Sequence, residues 1–310
     1  MISIIICSRA SDVSAELKQN IAATIGCDYE IVVIDNSQNQ YDIFSAYNVG
    51  VDRAIGDVLC FMHDDVCFHT EGWGVNVERI LSDKGIGLLG VFGSHFMSRY
   101  PLYWWSSPFI SQYSINTDHG VQEYQEHLNY YQDDMAEVAV VDGVCMFVHA
   151  NLFPQLRFDG EHYTGYHAYD MDLSMQVQQL GLKVCVTKEV LLEHFWSEDS
   201  MKNEHYSAML DKNMNVFAAK WAESLPIVRG IDLPAETLHR LDNLCKDAYE
   251  SQRLRRSKAY RLGKFMLHPS RATWRQLINR QWYFLNYDTQ DNPLLLVRQG
   301  LDAEVAERLY

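Results

Sequence analysis

Along the first 92 residues of this chain, short apolar blocks alternate with longer segments of mixed polarity. The runs ISIIIC (2–7) and YEIVVID (29–35) are rich in β-branched residues with little apolar–polar alternation, the pattern of strands buried on both faces. Between them, Val13, Leu17, Ile21 and Ile25 recur at helical spacing and predict a helix over 11–25. The same logic predicts a helix over 41–55 (YDIFSAYNVGVDRAI), a strand over 56–64 (GDVLCFMHD), a helix over 71–83 and a strand over 86–92 (IGLLGVF). A β-α-β-α-β-α-β order implies an α/β fold, with a parallel sheet covered by helices.

Residues 93–137 show no clear periodicity. The part from His95 to Tyr131 holds ten Phe, Trp or Tyr in 37 positions. A strand is predicted over 137–150 (EVAVVDGVCMFVHA), a helix over 168–180, a strand over 183–187 (KVCVT) and a further helix over 199–222. After SLPIVRGIDLP (224–234) the chain turns polar and helical, with a basic run RLRRSKAYRLGK at 253–264. A domain boundary is placed near 225–232, giving a domain over 1–225 and a C-terminal helical region over 226–310. No internal repeat is visible.

The composition is that of an ordinary globular protein: 310 residues, 47% hydrophobic and 22% charged. The net charge of −15 argues against a general nucleic-acid binder. No apolar run reaches the roughly 18–20 residues that a membrane span needs. The N-terminus MISIIICSRA lacks a basic region ahead of its apolar run and reads as a first strand rather than a signal peptide. The seven cysteines form no CxxC pair, and Cys7, Cys60, Cys145 and Cys185 lie inside apolar runs. They read as buried thiols in a reducing cytoplasm. The basic run at 253–264 reads as a solvated helix face, with contact to an anionic lipid surface on the inner side of a membrane as the second reading.

Ligands of open α/β sheets bind beyond the carboxyl ends of the strands. The first strand ends at Ser8-Arg9, the second at Asp35-Asn36-Ser37 and the third at His63-Asp64-Asp65, so three polar clusters converge on one sheet edge. Two adjacent carboxylates beside an imidazole suit a divalent cation such as Mg²⁺ or Mn²⁺, and equally a solvated turn in which an aspartate caps a helix. In GYHAYDMDLSMQVQQLGLKV (165–184), Tyr169, Leu173, Val177 and Leu180 form the apolar stripe. Asp170 and Asp172 lie off it in the first turn, either as acids complementing the helix dipole or as a general base kept ionised there. GIGLLG (85–90) spells GxGxxG but leads into a strand, the wrong context for a dinucleotide site.

Six pieces in order carry a resemblance: SIIICSR, VVIDNS, AYNVGVDRAIGDVLCFMHDDV, VDGVCMFVHANLF, YDMDLSMQVQQLGLKV and EHFWSEDS, spanning about residues 2–200. The chain resembles nucleotide-sugar glycosyltransferases of the GT-A fold, close to the inverting family-two group. The last 80 or so residues match no part of it.

The resemblance implies a GT-A sheet, mostly parallel and flanked by helices, with a C-terminal helical extension. It implies a nucleotide-sugar donor, with UDP-sugars the commonest in the family, and a carbohydrate or lipid-linked acceptor. Ser8 and Arg9 would lie against the nucleotide, with Asp35 and its neighbour Asn36 at the base or ribose and Asn48 on the diphosphate side. His63, Asp64 and Asp65 would occupy the DxD metal motif, with Asp64 on the donor, and His194 would stand near metal and diphosphate. Asp142 and Gly143 would approach the sugar, and Asp170 would be the catalytic base. Trp104, Trp105, Tyr100 and Tyr103 would offer flat faces to an acceptor sugar, or else pack hydrophobically. The sequence departs from the pattern twice: His63 replaces the first DxD carboxylate, and Tyr169 stands where the family usually has Glu. Two other readings remain, a sugar-phosphate nucleotidyltransferase and a non-catalytic nucleotide-sugar binder.

Overall fold

The computed structural model describes residues 1–104, 107, 109–118, 121–123, 133–195, 204–256 and 266–267. The first half of the chain follows its apolar pattern closely. It runs β1 (Ile2–Ser8), α1 (Ala15–Thr24), β2 (Tyr29–Asp35), α2 (Ile43–Arg53), β3 (Val58–Met62), β4 (Val66–Phe68), α3 (Trp73–Leu81) and β5 (Ile86–Gly90). Short strands follow: β6 (Phe92–Ser94), β7 (Phe96–Met97), β8 (Ile110–Gln112), β9 (Ser114–Asp118) and β10 (Val121–Glu123). Then come β11 (Met135–Glu137), β12 (Val140–Val141), β13 (Cys145–His149), α4 (Tyr169–Gln179), β14 (Lys183–Thr187), β15 (Leu192–His194) and β16 (Ile227–Val228).

Seven strands form the central sheet in the order β11-β14-β5-β13-β3-β1-β2. Strands β1, β2, β3, β5 and β14 share one direction, while β13 and β11 run against them. The sheet is thus mostly parallel and flanked by helices, as the pattern predicts. The reversed β13 lies between β3 and β5, which alternation alone does not specify. The predicted strand 137–150 is in fact three short strands. β11 joins the central sheet, β12 pairs with β6, and β13 returns to the central sheet. Residues 142–144 lie between the last two, with Asp142 and Gly143 in the link. The stretch without periodicity contains β6 to β10, strands too short to show a period of two.

Helix starts are set locally. Ser14 Oγ accepts from Leu17 N at 3.1 Å, and Asp42 Oδ1 accepts from Ser45 N at 2.9 Å, satisfying first-turn donors of α1 and α2. The alternation of β1 sends Ile2, Ile4 and Ile6 into a core with Leu17, Ile21, Trp73 and Val77. Ile5 faces α2, where a Cβ on Gly50 would come within 2.2 Å of its Cγ2, so only glycine lets helix and strand approach this closely. Each fully buried isoleucine of β1 contributes about 1.5–3 kcal/mol. A chain of touching rings, Phe44, Tyr47, Phe61, Phe153, Phe158, Tyr163 and Tyr169, forms a second cluster.

The contacts divide the chain into two units. The labelled strands and helices above belong to the first, which comprises Met1–Met97, Phe109–Ser197 and Ile227–Ile231. The second gathers Ser98–Pro108 with the helices Glu204–Lys220 and Ala235–Arg256. Within it, Arg99 Nε pairs with Asp242 Oδ2 at 2.8 Å, and Tyr103 donates to Asp211 Oδ1 at 3.2 Å. Trp104 is buried, which fits packing rather than a sugar platform; Trp105 lies outside the described residues. Of the basic run, Arg253 is exposed, and Ser257 to Lys264 lie outside the described residues. No helix among the described residues is long and apolar enough to cross a membrane.

Candidate active site

Parallel pairing sets Ser8 beside Asp35 at the carboxyl ends of β1 and β2. Strand β3 runs out at Met62, so His63, Asp64 and Asp65 emerge on the same edge. The buried Ser8 hydroxyl donates to Asp64 Oδ2 at 2.7 Å, and Arg9 is exposed just beyond. Asp35 Oδ1 accepts from the Ser37 amide at 2.9 Å, and that bond, together with a second from the Ser37 hydroxyl, holds its carboxyl below the usual range. Asn36 is buried. Its Nδ2 donates to Tyr41 O at 2.9 Å and lies 3.1 Å from the Tyr166 hydroxyl, while its Oδ1 accepts from Tyr41 N at 2.9 Å. Asn48 clasps the Phe158 backbone, Nδ2 to O at 2.8 Å and Oδ1 from N at 3.3 Å.

The second sheet, β10-β9-β15-β4, supplies the next component. Strand β15 pairs antiparallel with β4, placing His194 opposite Val66 and beside Asp65. His194 Nε2 lies 3.3 Å from Asp65 Oδ1 and 3.3 Å from His63 Nδ1, while His63 Nδ1 is 3.7 Å from Asp65 Oδ1. These three ligand atoms lie within 4.8 Å of one another. Burial, and then the charge of His194, push the His63 pKa down, leaving its imidazole neutral at neutral pH. Burial alone would raise the Asp65 carboxyl. The hydrogen bond from His194, and the charge the two imidazoles carry in the acid range where a carboxyl titrates, outweigh it, so the net shift is downward. Metal binding requires neutral imidazole and ionised carboxylate, and His63 and Asp65 already sit in those forms. Two imidazole nitrogens with one carboxylate fit a divalent transition ion better than Mg²⁺, which favours oxygen donors.

Helix α4 completes the edge. It starts from Ala168 at φ 69°, a left-handed conformation that costs an alanine about 1–2 kcal/mol, and no side chain caps it. Asp170, in the first turn, is only 8% exposed. Its Oδ2 accepts from Gly143 N at 2.9 Å and its Oδ1 from Met171 N at 2.8 Å. Burial, reinforced by the charge of Asp142, pushes its carboxyl up to about 7 despite those bonds. Asp142 itself receives Val144 N at 2.8 Å. The Tyr169 hydroxyl donates to Gly143 O at 3.2 Å and lies 3.1 Å from His63 Nε2. One run of contacts therefore leads from His194 through His63, Tyr169 and Gly143 to Asp170.

A family model described as a glycosyltransferase-like family matches residues 3–221. The chain belongs to that family. The resemblance of the six ordered segments to a glycosyltransferase family is thereby borne out, and the central sheet is mostly parallel and flanked by helices, as expected. Among solved structures, the chain is similar to the mannosyltransferase PcManGT from Pyrobaculum calidifontis in complex with GDP-Man and Mn²⁺, at 12% identity over 97% of this chain and 86% of that one, TM-score 0.47. It is similar to S. aureus TarS 1–349, at 12% identity over 98% and 91%, TM-score 0.46. It is also similar to GalNAc-T7 with UDP, GalNAc and Mn²⁺, at 13% identity over 63% of this chain, with TM-score 0.42, and spans 44% of that chain. At these TM-scores the likenesses carry no argument about fold or function. No curated protein sequence matches the chain.

In this member of the family, the edge of the sheet brings together Ser8, His63, Asp64, Asp65, Asp142, Gly143, Asp170 and His194. Arg9 and Asp35 stand at the strand ends beside them. Asn36 and Asn48 use their amides on the protein's own loops, bracing segments 36–41 and 158. Helical spacing assigns Tyr169 to the apolar stripe. Its ring is indeed buried, but that reading misses its hydroxyl. The two departures from the family pattern, His63 and Tyr169, touch each other. That they fall on the same edge of the sheet was the available signal.

Proposed function

We propose that this chain transfers a sugar from a nucleotide diphosphate to an acceptor hydroxyl with inversion, with Asp170 as general base. His63, Asp65 and His194 would hold a divalent cation, Mn²⁺ ahead of Mg²⁺. The observation that carries the reading is the placement of a three-residue ligand cluster and a carboxyl raised to about 7 on one sheet edge. A base works best with a pKa near the working pH, and a buried carboxyl at about 7 meets that condition.

A bound cation would offset the negative charge that develops on the departing diphosphate. Ser8 and Asp64, joined by their hydrogen bond, would meet the nucleotide with Arg9 and Asp35. Gly143 N–H and Met171 N–H hold the Asp170 carboxylate in place as it takes the acceptor proton. Attack from the face opposite the diphosphate inverts the anomeric centre. A UDP-sugar is the favoured donor and a carbohydrate or lipid-linked hydroxyl the favoured acceptor. Residues 1–225 would carry the chemistry, with 226–310 as a helical extension.

The test is Asp170→Asn assayed against a panel of nucleotide sugars with Mn²⁺. Transfer should fall about 10²–10⁴-fold, while donor binding, read as a rise in melting temperature, persists. Undiminished transfer would remove Asp170 as the base. Donor binding without transfer by the unmodified protein, for any acceptor, would favour a non-catalytic binder.

A further inference from the structure

We propose that Tyr169 is a positioning residue that holds His63 in the tautomer protonated on Nε2, so that Nδ1 presents its lone pair to the metal position. The inference rests on the metal-site reading above. The phenol has one proton, and the Gly143 carbonyl 3.2 Å away can only accept. With that proton directed at Gly143, the phenol oxygen is an acceptor toward His63 Nε2, 3.1 Å away. His63 must then carry its own proton on Nε2. Its other nitrogen, Nδ1, is the atom that faces His194 Nε2 at 3.3 Å and Asp65 Oδ1 at 3.7 Å.

The phenol is fixed from several sides. Its ring stands edge-on to Phe44 and Tyr47, with centroids 6.4 and 5.6 Å away, and a Cβ on Gly143 would come within 2.0 Å of its oxygen. Gly143 is therefore glycine for room rather than for backbone freedom: the hydroxyl occupies the space a side chain would need. Outer partners of metal-bound histidines set the tautomer and ring orientation, and losing one typically costs about 10–100-fold in metal affinity. Here that role falls to a tyrosine braced by a backbone carbonyl.

The experiment is two-bond ¹H–¹⁵N NMR of histidine-labelled, metal-free protein, with His63 assigned by its absence in His63→Gln, alongside Mn²⁺ titration followed by EPR. The unmodified protein should show His63 protonated on Nε2. Tyr169→Phe should lose that preference and bind Mn²⁺ about 10–100-fold more weakly. Gly143→Ala, which displaces the phenol, should do the same. A proton on Nδ1 in the unmodified protein overturns the proposal whether or not either variant folds. So does an unchanged tautomer with unchanged Mn²⁺ affinity in both variants. A tautomer shift in Tyr169→Phe with no Mn²⁺ binding by any protein supports the Tyr169–His63 coupling and removes the metal-site reading instead.

Discussion

Asp65 and Asp170 are the same side chain in two solvents. Asp65 stands half in water among two histidines, and its carboxyl is held below the usual range. Asp170 is enclosed under the first turn of α4, facing another carboxylate, and rises to about 7. The first is ionised at any physiological pH and suits a permanent ligand. The second changes state near neutrality and suits the transfer of a proton. Environment alone fits the two carboxyls to different tasks, and Tyr169 with Gly143 is the partition between them.

The strongest way to break this comparison is at its dry end. Asp170→Asn should cost about 10²–10⁴-fold in transfer with donor binding preserved. At the wet end, Asp65→Ala should weaken Mn²⁺ binding by more than the roughly 10–100-fold cost of losing an outer partner, measured by titration. A third aspartate sharpens the contrast. Asp172 is buried two residues further along the same helix, with the Tyr163 hydroxyl at 2.9 Å and Gln176 Nε2 at 2.8 Å. Tyr163→Phe strips one of those donors and should cost about 1–3 kcal/mol of stability in denaturant unfolding, with transfer per folded molecule little changed.

The pH dependence gives the subtler tests. An unfolded aspartate titrates near 4, so the folded state binds the Asp170 proton more tightly. The sign follows: this group's contribution to stability is full below about 4, is lost as pH rises toward about 7, and is flat above. Melting temperature across that window should carry this downward slope, and Asp170→Asn should remove it. Transfer should rise through the same region, as the base ionises. Asp142→Asn, which removes the neighbouring charge, should move that rise to lower pH. A rise that stays in place would show that burial alone sets the Asp170 carboxyl.

Much of this was readable from the chain. The ends of β1, β2 and β3 are visible as apolar runs that stop on Ser8, Asp35 and His63, and short parallel crossovers leave those ends little choice of side. The reversal of β13 was not readable, because an apolar run looks alike in either direction. Asp170 and Asp172 lie off the apolar stripe of α4, as periodicity says. Even so they are largely buried, because the face of that helix opposite the stripe is covered too. Periodicity reports one covered face and is silent when the other is covered too. The Tyr169–His63 contact spans 106 positions, and no local window holds it.

The reversed strand has an implication for how such a protein diversifies. β1, β2 and β3 hand over Ser8, Asp35 and His63 as the chain departs from the sheet, whereas β13 hands over Asp142 and Gly143 as the chain arrives. The stretch between Gly90 and Met135 is a detour whose two ends are anchored in the central sheet by registered pairing. Among the described residues, the part between Gly90 and Met135 adds no strand to the central sheet, so its length and content can drift across generations without shifting a rung of that ladder. The chain therefore has a place to change that leaves Asp65 and Asp170 where they are.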